Sequence, residues 1–187
     1  RCFLLLRLSV INVAMHQEPR LRSCAIAECL GTFLLVFFGC GSVHAAVTLD
    51  ALQGGWQVAS VWGFAVTLAI YAVGNISGAH INPAITIAMI CWRGFPLARA
   101  PVYIASQLAG AFLAACCLYA IFSGTIAEYE LQNEIVRGSP ESLVTAAMYG
   151  EYHPNPTIRL HSAAADGHRD TVGLGAAVFA EMLGTGL

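Results

Sequence analysis

Residues 77–86 read S-G-A-H-I-N-P-A-I-T, a polar run set inside strongly apolar sequence. Asn82 carries an amide that can donate and accept hydrogen bonds, and His80 carries an imidazole. Glu28 lies about one turn inside an apolar run of its own. A mid-bilayer charge costs roughly 2.5–3.5 kcal/mol on insertion scales, so Glu28 should have hydrogen-bond donors around it. Its three readings are a structural acceptor, a snorkelling side chain and a proton relay. Glu28 and His80 could serve an intramembrane enzyme or a coupled transporter. Against that stands the lack of a nucleophile–base pair or metal cluster at usable spacing. The chemistry left is neutral hydrogen bonding.

The elements around the run decide what that bonding serves. Asn is a favoured N-cap and Pro suits the first helical position, so Asn82-Pro83-Ala84 should open a helix. Pro83–Trp92 would rise only ~15 Å, about half of a ~30 Å hydrocarbon core. The chain is 57% hydrophobic and 11% charged, with a mean hydropathy of +0.67. That composition points to a polytopic membrane protein. Spans are expected over Cys24–Val47, Val58–Val73 and Pro101–Ser123, with a fourth starting near Val172. Small residues at Ser106, Gly110 and Ala114, and at Gly74 and Gly78, have the spacing that lets helix backbones approach.

Arg20 and Arg22 precede the first span, and Arg93 and Arg99 follow the short helix. If residues 75–92 crossed fully, the two pairs would lie on opposite sides. A re-entrant segment keeps both on the cytoplasmic side, as the positive-inside tendency prefers. Irregular backbone at membrane depth is tolerated inside protein or along a watery cavity, which makes this segment a pore or substrate-site candidate. All nine basic residues are Arg, the net charge is −2, and no basic patch suggests nucleic acid. The cysteines Cys24, Cys29, Cys40, Cys91, Cys116 and Cys117 read as packing residues, without a zinc or disulfide pattern. His153, His161 and His168 have no metal-site spacing and read as solvated. Gln107 is expected to bond a neighbouring helix, and His80 to pack in its loop.

A-E-C-L-G-T-F-L at 27–34 recurs as A-E-M-L-G-T-G-L at 180–187, with six matches in eight. Three crossings separate the copies, so the second runs oppositely through the membrane, as in an inverted-topology repeat. The second copy is cut short, and the chain is expected to be an N-terminal fragment. The expected organisation is 1–14 as an upstream or non-native extension with Met15 as the start, and 15–123 as the first repeat. Residues 124–170 would form an extracytoplasmic loop and 171–187 the beginning of the second repeat.

S-G-A-H-I-N-P-A, A-E-x-L-G-T and the inverted repeat together resemble the aquaporin (major intrinsic protein) family. V-W-G at 61–63, I-V-R-G-S-P-E-S at 135–142, Y-H-P-N-P at 152–156 and the long outer loop resemble its bacterial glycerol facilitator branch. Residues 157–171 make the chain about fourteen residues longer than that pattern, which reads as an outer-loop insertion or as a sequencing or gene-model error. The resemblance implies an all-α, six-span channel with two half-helices meeting at the midplane, usually a homotetramer. Asn82, with Pro83 and Ala84, would be the pore motif, and Trp62 the aromatic wall of the constriction. Carbonyls of Gly78, Ala79 and His80 would form an acceptor ladder, and Glu28 and Glu181 would hold the re-entrant loops. It implies passive passage of glycerol, related small neutral solutes and water. No cofactor is involved, and the cell membrane would hold the protein with its N-terminus cytoplasmic. A water-selective aquaporin and a non-conducting truncated product are the alternatives. The filter arginine would belong to the second half, and the 187-residue form alone is expected not to conduct.

Overall fold

The computed structural model describes residues 19–52, 54–150, 175, 176, 178 and 179. The extension before Met15, the insertion at 157–171 and the second repeat copy with Glu181 lie outside the described residues. Among the described residues the secondary structure is helical, with no strand. The long elements are α1 (Leu21–Leu49), α2 (Gly55–Ser77) and α4 (Ala100–Gln132), with α3 (Pro83–Arg93) between the last two. Three helices among the described residues are long and apolar enough to cross a membrane, and α3 is the shorter apolar one. At 11 residues, α3 spans about 16 Å.

The central element is α1, which packs against α2 on one side and α4 on the other, while α3 leans on α4. Its buried positions are mostly small: Ala27, Gly31, Thr32, Gly39, Cys40 and Ser42 join Cys24, Glu28 and His44. Small residues are what helices need to approach in lipid, where apolar burial alone gives little drive to associate. On α4 the buried stripe is Tyr103, Gln107, Gly110, Ala114 and Leu118, spaced as one helix face. Gly110 sits directly against the Cys29 backbone. Close approach therefore occurs at Gly110, and Ala114 is buried on the same face. Gly74 and Gly78, by contrast, mediate no helix crossing. Gly78 instead ends α2 in a left-handed conformation (φ 88°), its N–H donating to the Gly74 carbonyl.

Cysteine usage also divides. Cys24 and Cys40 are buried and Cys29 half-buried, whereas Cys91, Cys116 and Cys117 lie on exposed faces, so the packing role does not extend to these three. At the far end of α1, His44 is fully buried against Phe122 and Tyr149, and its Nδ1 lies 2.7 Å from the Cys40 carbonyl. Nothing in the sequence pattern singled this histidine out.

The apolar run of α4 stops near Ser123, but the helix continues to Gln132. Its last turns are held by Glu130, which is buried. Glu130 accepts from the Arg137 guanidinium at 2.8 Å and from the Thr145 hydroxyl at 2.9 Å. Together these contacts fold the segment after α4, with its 3-10 turn at Pro140–Ser142 and the short α5 (Leu143–Ala146), back onto the helix end. Arg137 is more than half exposed, so its share is screened, and the buried Thr145 contact carries more. Glu130→Ala should therefore raise amide exchange over residues 137–149 by roughly 5- to 150-fold, the equivalent of about 1–3 kcal/mol of local stability. Exchange in the Glu28–Ile81 region should not change.

Candidate functional site

Residues 78–81 link α2 to α3 with a backbone that few sequences adopt. Gly78, Ala79 and Ile81 all have positive φ, at 88°, 49° and 43°. For Gly this is free, but for Ala and above all for β-branched Ile it costs about 1–3 kcal/mol each. Such strain persists only where surrounding contacts impose it, and here Glu28 imposes it. Its Oε1 accepts from the His80 N–H at 2.9 Å and the Ser77 hydroxyl at 2.6 Å. Its Oε2 accepts from the Ile81 N–H and the Gln107 Nε2, both at 2.7 Å. All four neighbours are donors, the set an ionised carboxylate satisfies. Ser77 also accepts the Ala79 N–H at 3.1 Å, which ties that peptide to the same carboxylate through one hydroxyl.

The rest of the A-E-x-L-G-T motif serves the same loop. Ala27 packs with Ala69, Val73 and Ile81 in one buried cluster. Gly31 leaves the space that the Ile81 side chain fills. The Thr32 hydroxyl donates to the Ile81 carbonyl at 3.3 Å. Tyr103 donates to the Ser77 carbonyl at 2.8 Å. Ser77, Thr32 and Tyr103 were not assigned these tasks by sequence reasoning. Thr32, as part of the repeated motif, carried the one available signal.

The three carbonyls between these anchors are different. In a trans peptide the C=O is antiparallel to the N–H of the next residue. With the N–H groups of Ala79, His80 and Ile81 drawn toward Glu28, the carbonyls of Gly78, Ala79 and His80 turn to the opposite side. Among the described residues none of the three accepts a hydrogen bond. One loop thus presents donors inward to a buried carboxylate and a row of free acceptors outward.

Asn82 follows this row and caps α3, its Oδ1 accepting from the Ala84 N–H at 2.8 Å with Pro83 in the first turn. The cap commits the oxygen, and among the described residues both amide hydrogens have no acceptor. Behind it, Thr86 is buried, and its hydroxyl meets the Asn82 carbonyl at 3.1 Å, the Gln107 Nε2 at 3.0 Å and the His80 Nδ1 at 3.2 Å. One donor and two acceptors are all a hydroxyl has, and this arrangement uses them when His80 donates from Nδ1. The His80 ring packs against Phe95 and Tyr103, which also contact each other. Gln107 therefore joins three helices. Its Oε1 is buried with no partner among the described residues.

Trp62 stands apart from this cluster, on α2, with its ring laid over Gly39 of α1. Gly39 is eleven residues beyond Glu28, about 16 Å along the helix axis. Asn82, Pro83, Ala84, Gly78, Ala79, His80 and Glu28 are thus brought together, Trp62 lies at a second level, and Glu181 is outside the described residues. Among the described residues no three His, Cys, Asp or Glu side chains converge as a metal site. The arrangement offers neutral donors and acceptors at the start of a helix, where the partial charge is positive.

The sequence profile described as major intrinsic protein matches residues 15–187. The chain is 42% identical over 145 residues to the glycerol uptake facilitator protein of Pseudomonas aeruginosa, covering 78% of this chain and 52% of that one. It is 42% identical over 151 residues to the glycerol uptake facilitator protein of Escherichia coli, with coverages of 81% and 53%. The propanediol uptake facilitator of Citrobacter freundii is 42% identical over 148 residues, with coverages of 79% and 55%. Among solved structures, the aquaglyceroporin from Plasmodium falciparum superposes with a TM-score of 0.54 at 35% identity, covering 58% of this chain and 45% of that chain. The chain spans about half the length of the curated relatives it matches.

Proposed function

The chain belongs to the major intrinsic protein family, a family of integral membrane channels rather than enzymes, and we propose that its helices build one wall of a passive pore for glycerol, related small neutral solutes and water. The observation that carries this reading is that, among the described residues, the carbonyls of Gly78, Ala79 and His80 and the amide hydrogens of the following Asn82 have no hydrogen-bond partner. A polyol entering a narrow passage gives up water at each hydroxyl, and each unreplaced hydrogen bond costs about 1–3 kcal/mol. A line of fixed acceptors followed by a donor replaces those bonds in turn, so the solute can advance without one deep well. The acceptors are already held by Glu28 and need no reorganisation as a solute passes.

The apolar side of the passage falls to Trp62, whose indole would face the carbon backbone of a polyol. The positive end of α3 disfavours cations, including hydronium. No step in this passage consumes energy or requires a titrating group. Arg20, Arg22, Arg93 and Arg99 support a cytoplasmic N-terminus in the cell membrane. The assembly we infer is a homotetramer with one pore in each subunit, surrounded by lipid.

Stopped-flow light scattering tests this with the full-length protein reconstituted in vesicles. A glycerol gradient should produce rapid swelling above that of empty vesicles. Asn82→Leu, which removes the amide donor and the cap together, should lower the glycerol rate at least tenfold. Water flux without glycerol flux in the unmodified protein would overturn the solute assignment and make the pore water-selective.

A further inference from the structure

A Cβ built on Gly39 would lie 2.6 Å from Cδ2, Cε2 and Cε3 of Trp62. Equal distances to both ring-fusion carbons and a neighbour place it over the indole face, not at the edge. The half-buried Trp62 ring is therefore seated flat on α1 because position 39 has no side chain. Ordinary carbon–carbon contact is about 3.5–4.0 Å, so a methyl there would displace the ring by about 1 Å. The displacement has one direction open to it. Around this level α1 is already tight against α4, where a Cβ on Gly41 would come 3.2 Å from the Leu118 side chain. About three turns below, the Gly110 contact at Cys29 and the Glu28 network fix the same helix. The indole must move, and it moves away from α1.

We propose that Gly39 is a positioning residue that sets the width of the solute constriction by seating Trp62 against α1. This rests on Trp62 forming the apolar wall of the pore proposed above. A ring pushed outward by about 1 Å narrows the passage for glycerol far more than for water, which is the smaller molecule. Gly39 thus acts on selectivity through a residue it packs, and never touches the solute.

The test is the ratio of glycerol to water permeability in vesicles carrying the full-length protein, normalised to inserted protein. In Gly39→Ala the ratio should fall at least tenfold, with water permeability changed less than threefold. Trp62→Phe removes one ring of the indole. The double variant Gly39→Ala/Trp62→Phe should therefore have a ratio within threefold of Trp62→Phe alone. A residue that only supports the fold would lower both fluxes together and leave the ratio unchanged, and that result would overturn the proposal, as would a rising ratio. Should Gly39→Ala fail to insert, the double variant decides: insertion with the ratio of Trp62→Phe supports the seating, and failure to insert refutes it. Unmodified protein without glycerol flux would defeat the channel reading itself, a different outcome from an unchanged ratio.

Discussion

Glu28→Ala is expected to abolish glycerol flux and to destabilise the full-length protein by about 3–5 kcal/mol, the cost of stripping one partner from a buried charged network. The substitution leaves the N–H groups of His80 and Ile81, the Ser77 hydroxyl and the Gln107 amide without their acceptor. It also releases the strain held at Ala79 and Ile81, whose positive φ angles have no local cause. Once these residues relax, the peptide planes rotate, and the carbonyls of Gly78, Ala79 and His80 no longer face one side. Glu28→Gln should be milder but still damaging. Its amide puts a donor where two donors already point. Gln107 can rotate its unpartnered Oε1 toward that donor, but the Ile81 N–H cannot, so at least one buried donor remains unsatisfied, at about 1–3 kcal/mol. Thermal unfolding in detergent and vesicle flux should therefore rank unmodified protein above Gln and Gln above Ala. A different result would point to another mechanism. Flux lost in Glu28→Gln but retained in Asn82→Leu would mark the carboxylate as a proton relay and sink the passive pore.

Part of this site was legible in the sequence because it depends on local rules. Asn82 and Pro83 are the residue types that begin helices, and the cap forms as the pattern expects. The three long apolar runs produced three long helices for the same reason, since an isolated backbone in lipid must satisfy its own hydrogen bonds. The loop conformation was not legible. Ala79 and Ile81 do not favour the left-handed region, so no propensity announces them; the conformation is imposed by a carboxylate about fifty residues earlier. The end of α4 escaped for a related reason. Its last nine residues are too polar for an apolar run, but they are stabilised by Arg137 and Thr145, which come later in the chain. Spacing of small residues was a partial guide. It marks positions where a close approach is possible, and only a facing helix decides whether one occurs, as at Gly110 and not at Gly74.

Gly110 and Gly124 make that distinction measurable on a single helix. A Cβ at Gly110 would run into the carbonyl oxygen of Cys29 and crowd the Phe33 nitrogen, both backbone atoms of α1. Unlike a side chain, a helix backbone cannot turn aside, so α1 and α4 would have to separate. Overpacking of this kind costs about 1–3 kcal/mol for one methyl, and Gly110→Leu should exceed that range. The separation reaches the site quickly. Gln107 lies one turn before Gly110 and bonds Glu28 at 2.7 Å, so a shift of about 1 Å takes that contact past hydrogen-bond range. Gly110→Ala should accordingly lose both stability and glycerol flux. At Gly124 nothing lies within 4 Å of the added carbon, and there the intrinsic preference of a helix for Ala over Gly governs, favouring the variant by up to about 1 kcal/mol. The same chemical change on the same helix should thus shift the unfolding temperature in opposite directions. If Gly110→Ala proved neutral or stabilising, the close α1–α4 approach would be wrong, and with it the account of how Gln107 reaches Glu28.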